Sequence, residues 1–240
     1  MLKYLFLILP IIGFAQDAVR VEYEVRQEFD RNNIKQTSAR MEEMLVNSEN
    51  KRYYFELFVN ATNSNFTEIE RINNEQGRGI SVGLLSNVSS NIYKDFNSKE
   101  LYENNKMKPK LFIKDSIQTF PWVLSKEEST ILGYKVRKAT YTNNNQTVEA
   151  WYAPDLLFRD GPSRFNGLPG LILKVKFKMP YFLADVNSTI IINATKIDPY
   201  TVKIELPKNA KVVEKEVSQE KAQKLFEKQK ELRSQGVEKD

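Results

Sequence analysis

Between Val19 and Arg26 the side chains alternate without a break. Val19, Val21, Tyr23 and Val25 are apolar or aromatic, and Arg20, Glu22, Glu24 and Arg26 are charged. A strand sends successive side chains to opposite faces, whereas a helix would scatter these residues around its surface. The spacing therefore predicts a strand with one buried and one wetted face. The same period recurs downstream. Residues 39–47 and 51–59 read as a hairpin around Asn47-Ser48-Glu49-Asn50, with Tyr53, Phe55, Leu57 and Val59 on one face of the second arm. Residues 90–96 and 99–102 read as a second hairpin around Asn97-Ser98. Residues 134–142 and 147–153 read as a third, around Asn143-Asn144-Asn145-Gln146. Residues 171–178 and 189–197 are further strands, and 202–206 a weaker one. Sequential antiparallel pairs of this kind predict a mainly β fold, a curved meander sheet with one solvated face. By analogy at the level of fold alone, it would be a lipoprotein-carrier-like half-barrel with a helix across its concave face.

The two ends differ in character from the middle. Residues 1–15 read as an export signal: Lys3 precedes an apolar run from Tyr4 to Phe14, and Gly13 and Ala15 supply small residues for cleavage before Gln16. The run is short for a bilayer span, so no transmembrane helix is expected once the signal is removed. Residues 16–210 are then one antiparallel β domain, and the protein is expected in the periplasm or secreted. From Lys211 the chain is rich in Lys, Glu and Gln, and 211–240 reads as a charged helix and tail. Ser218 is the expected cap, and Ala222, Leu225, Phe226 and Leu232 form a narrow apolar stripe. Residues 73–90 show no clear period.

What the chain lacks narrows its chemistry. It contains no histidine and no cysteine. Ser-His-Asp and Cys-His catalysis, Cys/His zinc sites and disulfides are therefore excluded. No cofactor or metal is expected, and no D-x-[DN]-x-[DN]-G calcium loop occurs. The 36 basic and 31 acidic residues leave a net charge of +5, mixed along the chain, so no nucleic-acid partner is expected. Asp155 and Asp160 could in principle serve as acid and base. Their neighbours favour turns instead: Asp155 follows Pro154, and Asp160 precedes Gly161-Pro162. Arg159 and Arg164 bracket that Gly-Pro step, where they can hold an anion or pair with surface carboxylates.

The most specific stretch runs Ala150-Trp151-Tyr152-Ala153-Pro154, then Gly161-Pro162, then Phe165 and Gly167-Leu168-Pro169-Gly170-Leu171-Ile172. Pro169 fixes its own φ and biases Leu168 toward extended geometry. Gly167 and Gly170 permit positive φ or the close approach of another backbone. Trp151 and Tyr152 point to opposite faces, so one enters the core. Together with Trp122, Ile131-Leu132-Gly133-Tyr134 and Lys138-Ala139 upstream, this order resembles the GLPGLI family, secreted proteins of Bacteroidetes-type bacteria. The resemblance spans roughly residues 120–175. It implies an exported protein and no particular reaction, since the family has no established activity. Family members often carry a cysteine near Val136, and this chain does not, so no thiol role follows. Asp115-Ser116-Ile117 resembles a short acceptor pattern for O-glycosylation in the same bacteria.

Residues 154–170, with three prolines and three glycines, are expected to form a rigid clamp that seals the core. Trp151, Tyr152, Arg159, Arg164 and Phe165 are the candidate binding residues. The functional expectation is a non-enzymatic cell-envelope protein that binds an apolar or lipid-like ligand or an envelope partner. The alternative is an assembly accessory that engages an outer-membrane protein through a sheet edge or the C-terminal helix. A carboxylate-based hydrolase is the third reading.

Overall fold

The computed structural model describes residues 18–30, 38–69, 91–105, 108–143, 146–181 and 186–217, with 219–220, 223–224 and 227. The expected signal at 1–15 and the segment 73–90 lie outside the described residues. Among the described residues, and before helical residues that begin at Lys215, twelve strands and one uninterrupted helix follow in chain order. They are β1 (Ala18–Phe29), α1 (Ala39–Asn50), β2 (Tyr53–Asn60), β3 (Asn63–Glu68), β4 (Asn91–Asp95), β5 (Glu100–Asn105) and β6 (Lys108–Ser116). There follow β7 (Val123–Ile131), β8 (Tyr134–Asn143), β9 (Gln146–Ala153), β10 (Leu171–Tyr181), β11 (Val186–Pro199) and β12 (Lys211–Glu214).

All twelve strands lie in one open, curved sheet ordered β12-β6-β5-β4-β3-β2-β1-β11-β10-β9-β8-β7. The expected meander is thus two meanders, β1 to β6 and β7 to β11. They join where β1 pairs antiparallel with β11, Val21 opposite Ile197 and Val25 opposite Ile192. Alternation decides which face is buried. Val19, Val21, Tyr23 and Val25 are buried on the concave side, and the charged set faces out, where Arg20 bridges Glu22, Glu56 and Asp198. Phe55 and Phe66 stack at 5.0 Å within the core, and Tyr23 meets Phe66 edge-on at 6.3 Å. Each fully buried side chain of this size contributes roughly 1.5–3 kcal/mol relative to exposure.

Four expectations need correction. Residues 39–47 are helical, not a strand. Ser38 caps the first turn, its hydroxyl accepting from Met41 N, and the buried Leu45 and Ser48 lie on one helical face. The run Arg40-Met41-Glu42-Glu43-Met44-Leu45 is made of good helix formers, which outweighed the apolar alternation. Residues 202–206 form no strand. Lys211–Glu214 does, pairing parallel with β6, so the sheet extends past the expected boundary at residue 210 and is not wholly antiparallel. The C-terminal helix begins at Lys215 rather than at Ser218, and its described residues are exposed. Strands β3, β6 and β7 complete the sheet beyond the predicted hairpins.

Both sheet edges are blunted. In β7 the pairing with β8 jumps from Leu124 to Glu128, and the bulged stretch carries Lys126 and Glu127. At the other edge β12 is only four residues long, with Lys and Glu at its ends. Bulges, charge and shortness each discourage edge-to-edge pairing. Among the described residues no helix is long and apolar enough to cross a membrane.

Candidate functional site

The connection from β9 to β10 folds back into the concave face and fills it. Leu156 N bonds Ala153 O, Leu171 N bonds Leu156 O, Ile172 N bonds Asp160 O and Gly167 N bonds Arg159 O. Leu156, Leu168, Leu171 and Ile172 are buried. Two glycines make the path possible. Gly170 has φ +150°, and a Cβ there would lie 2.2 Å from Ala153 O. A Cβ on Gly161 would lie 2.6 Å from Ile172 Cβ. Tyr23 from β1 reaches up to donate to Ile172 O at 2.7 Å, which ties the clamp to the centre of the sheet.

A buried ion pair fastens the clamp to the far meander. Lys94 on β4 and Asp160 are both fully buried, with Nζ to Oδ1 at 2.6 Å. Lys94 also faces the carbonyls of Gly161 and Phe165 at 3.4 and 3.5 Å. Burial pulls the Lys94 ammonium below its ordinary pKa, against the pull of Asp160. Asp160 Oδ2 and Ser64 Oγ, the latter across the β3–β4 ladder from Lys94, find no partner among the described residues. The pair holds two halves of the bowl together, and no solvent reaches it. Asp155, by contrast, is exposed, so the two aspartates of the loop do not converge as an acid and a base. Among the described residues no group of three acidic side chains is placed to hold a metal ion.

A cleft of about 260 Å³ remains on the concave side between the clamp and β8–β10. Phe120, Tyr141, Phe165 and Phe177 line it, together with Met179 and Val148. Rings meet in a chain: Phe120 lies 5.1 Å from Tyr141 and 5.8 Å from Phe165, and Phe165 lies 5.6 Å from Phe177. Trp122 closes the cluster, 4.8 Å from Tyr141 and edge-on to it. Its Nε1 donates to Asn166 O at 2.8 Å, so its plane is fixed by the clamp. Gln118, Gln146, Ser163 and Arg164 supply polar groups to the same cleft. Arg164 ion-pairs with Glu103 and approaches Asp115 at 3.8 Å, and its burial lowers the guanidinium pKa.

The five expected binding residues therefore do not form one site. Arg164 and Phe165 reach the cleft. Tyr152 is a core residue, buried beneath the sheet. Trp151 lies on the convex face, where Lys138 sits 5.9 Å over its ring and Glu149 accepts from Nε1 at 3.0 Å. Arg159 is exposed and donates to Gly167 O at 3.3 Å. The signature residues Pro154, Gly161, Pro162, Gly167, Leu168, Pro169, Gly170, Leu171 and Ile172 all belong to the clamp and the start of β10. Of the apolar run Leu156-Leu157-Phe158 within the clamp, Leu156 is buried and Phe158 half-buried, but Leu157 is 84 % exposed. Sequence reasoning missed Phe120, Tyr141 and Phe177, because the three come from separate segments that meet only when the sheet curls. It also missed Lys94, which sits between Tyr93 and Asp95 in a short mixed strand with no local signal of burial.

Two solved structures of PNGF-II, in the C2 and P21 space groups, share this fold. They superpose with TM-scores of 0.54 and 0.51 at 17% and 18% identity, over 82% and 83% of this chain. The chain spans 31% of the length of each. No curated protein matches. Residues 91–222, which include β4, β5, the cleft, the clamp and β12, match the family profile described as N-glycanase peptide, N-terminal domain. Over more than half of its length the chain carries that domain's pattern, and it belongs to this family.

Proposed function

We propose that this chain is a non-catalytic binding module whose aromatic cleft holds a glycan. The observation that carries the reading is the cleft itself: aromatic rings with polar groups at the rim, in about 260 Å³. A sugar ring has apolar faces and polar edges. The faces suit Phe120, Tyr141, Phe165 and Phe177, and the edges suit Gln118, Gln146 and Arg164. The name of the family adds the glycan to this chemistry. An extended acyl chain fits less well, because Leu156, Leu168, Leu171 and Ile172 already fill the concave interior. A purely binding role agrees with the sealed Asp160, the exposed Asp155 and the absence of histidine and cysteine. The family is that of an N-terminal domain of an enzyme, so a supporting role beside a catalytic domain is part of the proposal. We further read the protein as exported, on residues 1–15, and as a GLPGLI-type chain, on residues 167–172.

The test uses Trp151→Phe protein, in which Trp122 is the single tryptophan. Neutral N-glycans should shift Trp122 emission saturably, and palmitate should do so more weakly. Phe177→Ala should weaken glycan binding about tenfold, roughly 1.4 kcal/mol. Tighter binding of palmitate would restore the apolar-ligand reading. Release of a cleaved product by the wild-type chain would make it an enzyme.

A further inference from the structure

We infer that the convex face carries a second binding site, for an acidic sugar, beneath the tip of the β7–β8 hairpin. A depression of about 410 Å³ opens there, lined by Ser129, Thr130, Leu132, Trp151, Lys174 and Asn193 among others. It lies on the side of the sheet opposite the aromatic cleft. The register explains the grouping. Trp151 on β9 and Asn193 on β11 both pair with Lys174 on β10, so the three side chains stand in one row across three strands. Trp151 offers a ring face, its tilt fixed by the bond from Nε1 to Glu149. Lys174 has no ion-pair partner among the described residues, in contrast to Lys138, which Glu127 and Glu149 neutralise. Ser129, Thr130 and Asn193 add short hydrogen-bonding groups.

Two more features point to a ligand rather than a merely wetted face. The hairpin tip is strained: Leu132 holds φ +51°, followed by Gly133 at +83°. Such turns favour Asn or Gly, and a leucine there costs on the order of 1 kcal/mol. The strain displays Leu132, 45% exposed, at the mouth of the depression. Below Lys174, β10 continues the cation row with Lys176 and Lys178, which line a second hollow of about 450 Å³ together with Thr147, Thr189 and Glu149, the last opposite Lys176 and itself held by Lys138 and Trp151 Nε1. Lysines at every second residue of a strand stand roughly 7 Å apart. The row thus matches a chain with a repeated negative charge, while the tryptophan at its end matches a ring. A short acidic oligosaccharide, whose rings bear carboxylate or sulfate, satisfies both. A peptide of acidic residues satisfies only the charge.

The experiment is calorimetric titration of the full chain with a tetramer of galacturonic acid and with a sulfated heparin tetrasaccharide, beside a neutral galactose tetramer and polyglutamate. At least one acidic saccharide should bind at least tenfold tighter than both controls. Lys174→Gln and Trp151→Phe should each lower that affinity at least fivefold at unchanged thermal midpoint, whereas Phe120→Ala, which lines the opposite cleft alone, should not. No binding of either acidic saccharide, or polyglutamate binding as tightly, would overturn the proposal. So would affinity lost with Phe120→Ala and kept with Lys174→Gln. Because the two sites lie on opposite faces, failure here leaves the aromatic cleft untouched, and the reverse.

Discussion

Gly170 is the residue on which the signature turns. Its φ of +150° and its 2.2 Å clearance to Ala153 O leave no room for a side chain, because the obstacle is backbone. Gly167 differs: its φ is +88°, but nothing lies within 4 Å of an added Cβ. Gly167→Ala should therefore cost about 1–2 kcal/mol, the strain of a left-handed residue. Gly170→Val should cost at least as much again, through the clash. Chemical denaturation of both variants checks the order, and a Gly170→Val protein as stable as Gly167→Ala would contradict the assigned geometry. Two glycines in one hexapeptide thus have different physical reasons. The sequence marks both as special, but it cannot say which backbone the second one touches.

Between elements, the Lys94–Asp160 pair is the fastening of the clamp. Removing one partner strands a buried charge, so Lys94→Met alone should destabilise by about 3–5 kcal/mol. The double variant Lys94→Met/Asp160→Leu should recover most of that loss, since a buried pair is often replaceable by apolar groups of similar volume. Thermal unfolding of the set measures the coupling, and a double variant as unstable as the single one would mean that Asp160 has a further partner. Neither residue could be paired from the sequence. Asp160 reads as a turn aspartate before Gly-Pro, and Lys94 as an ordinary strand lysine. Where partners are close in sequence the reading was sounder. The hairpins β4–β5 and β8–β9 and the strands β1, β10 and β11 follow directly from alternation and turn residues. The helix at Ala39–Asn50 did not, because its apolar residues satisfy either period over a short window, and the Ser38 cap and the helix formers from Arg40 to Leu45 distinguish them.

At the scale of the whole molecule, two meanders share one seam. β1 and β11 are each paired along both sides, and β10 lies beside them. Among the described residues, β7 and β12 each have one unpaired side. Native-state hydrogen exchange should accordingly be slowest in β1, β10 and β11 and fastest in β12 and β7. Protection in β7 equal to that in β1 would indicate a partner on its open side. The class of fold was legible from alternation, but the seam was not, since its strands stand at opposite ends of the chain. Thr195 Oγ1 donates to Glu22 O across 173 residues. That separation has a meaning in time. Of the twelve strands β1 is synthesised first, yet it waits for β11 before its second edge is covered. A chain interrupted before Val186 exposes a valine-rich strand with a bare row of amides, a ready template for pairing with other copies. Truncated products of this gene should therefore be a greater burden to the cell's quality control than their length alone suggests.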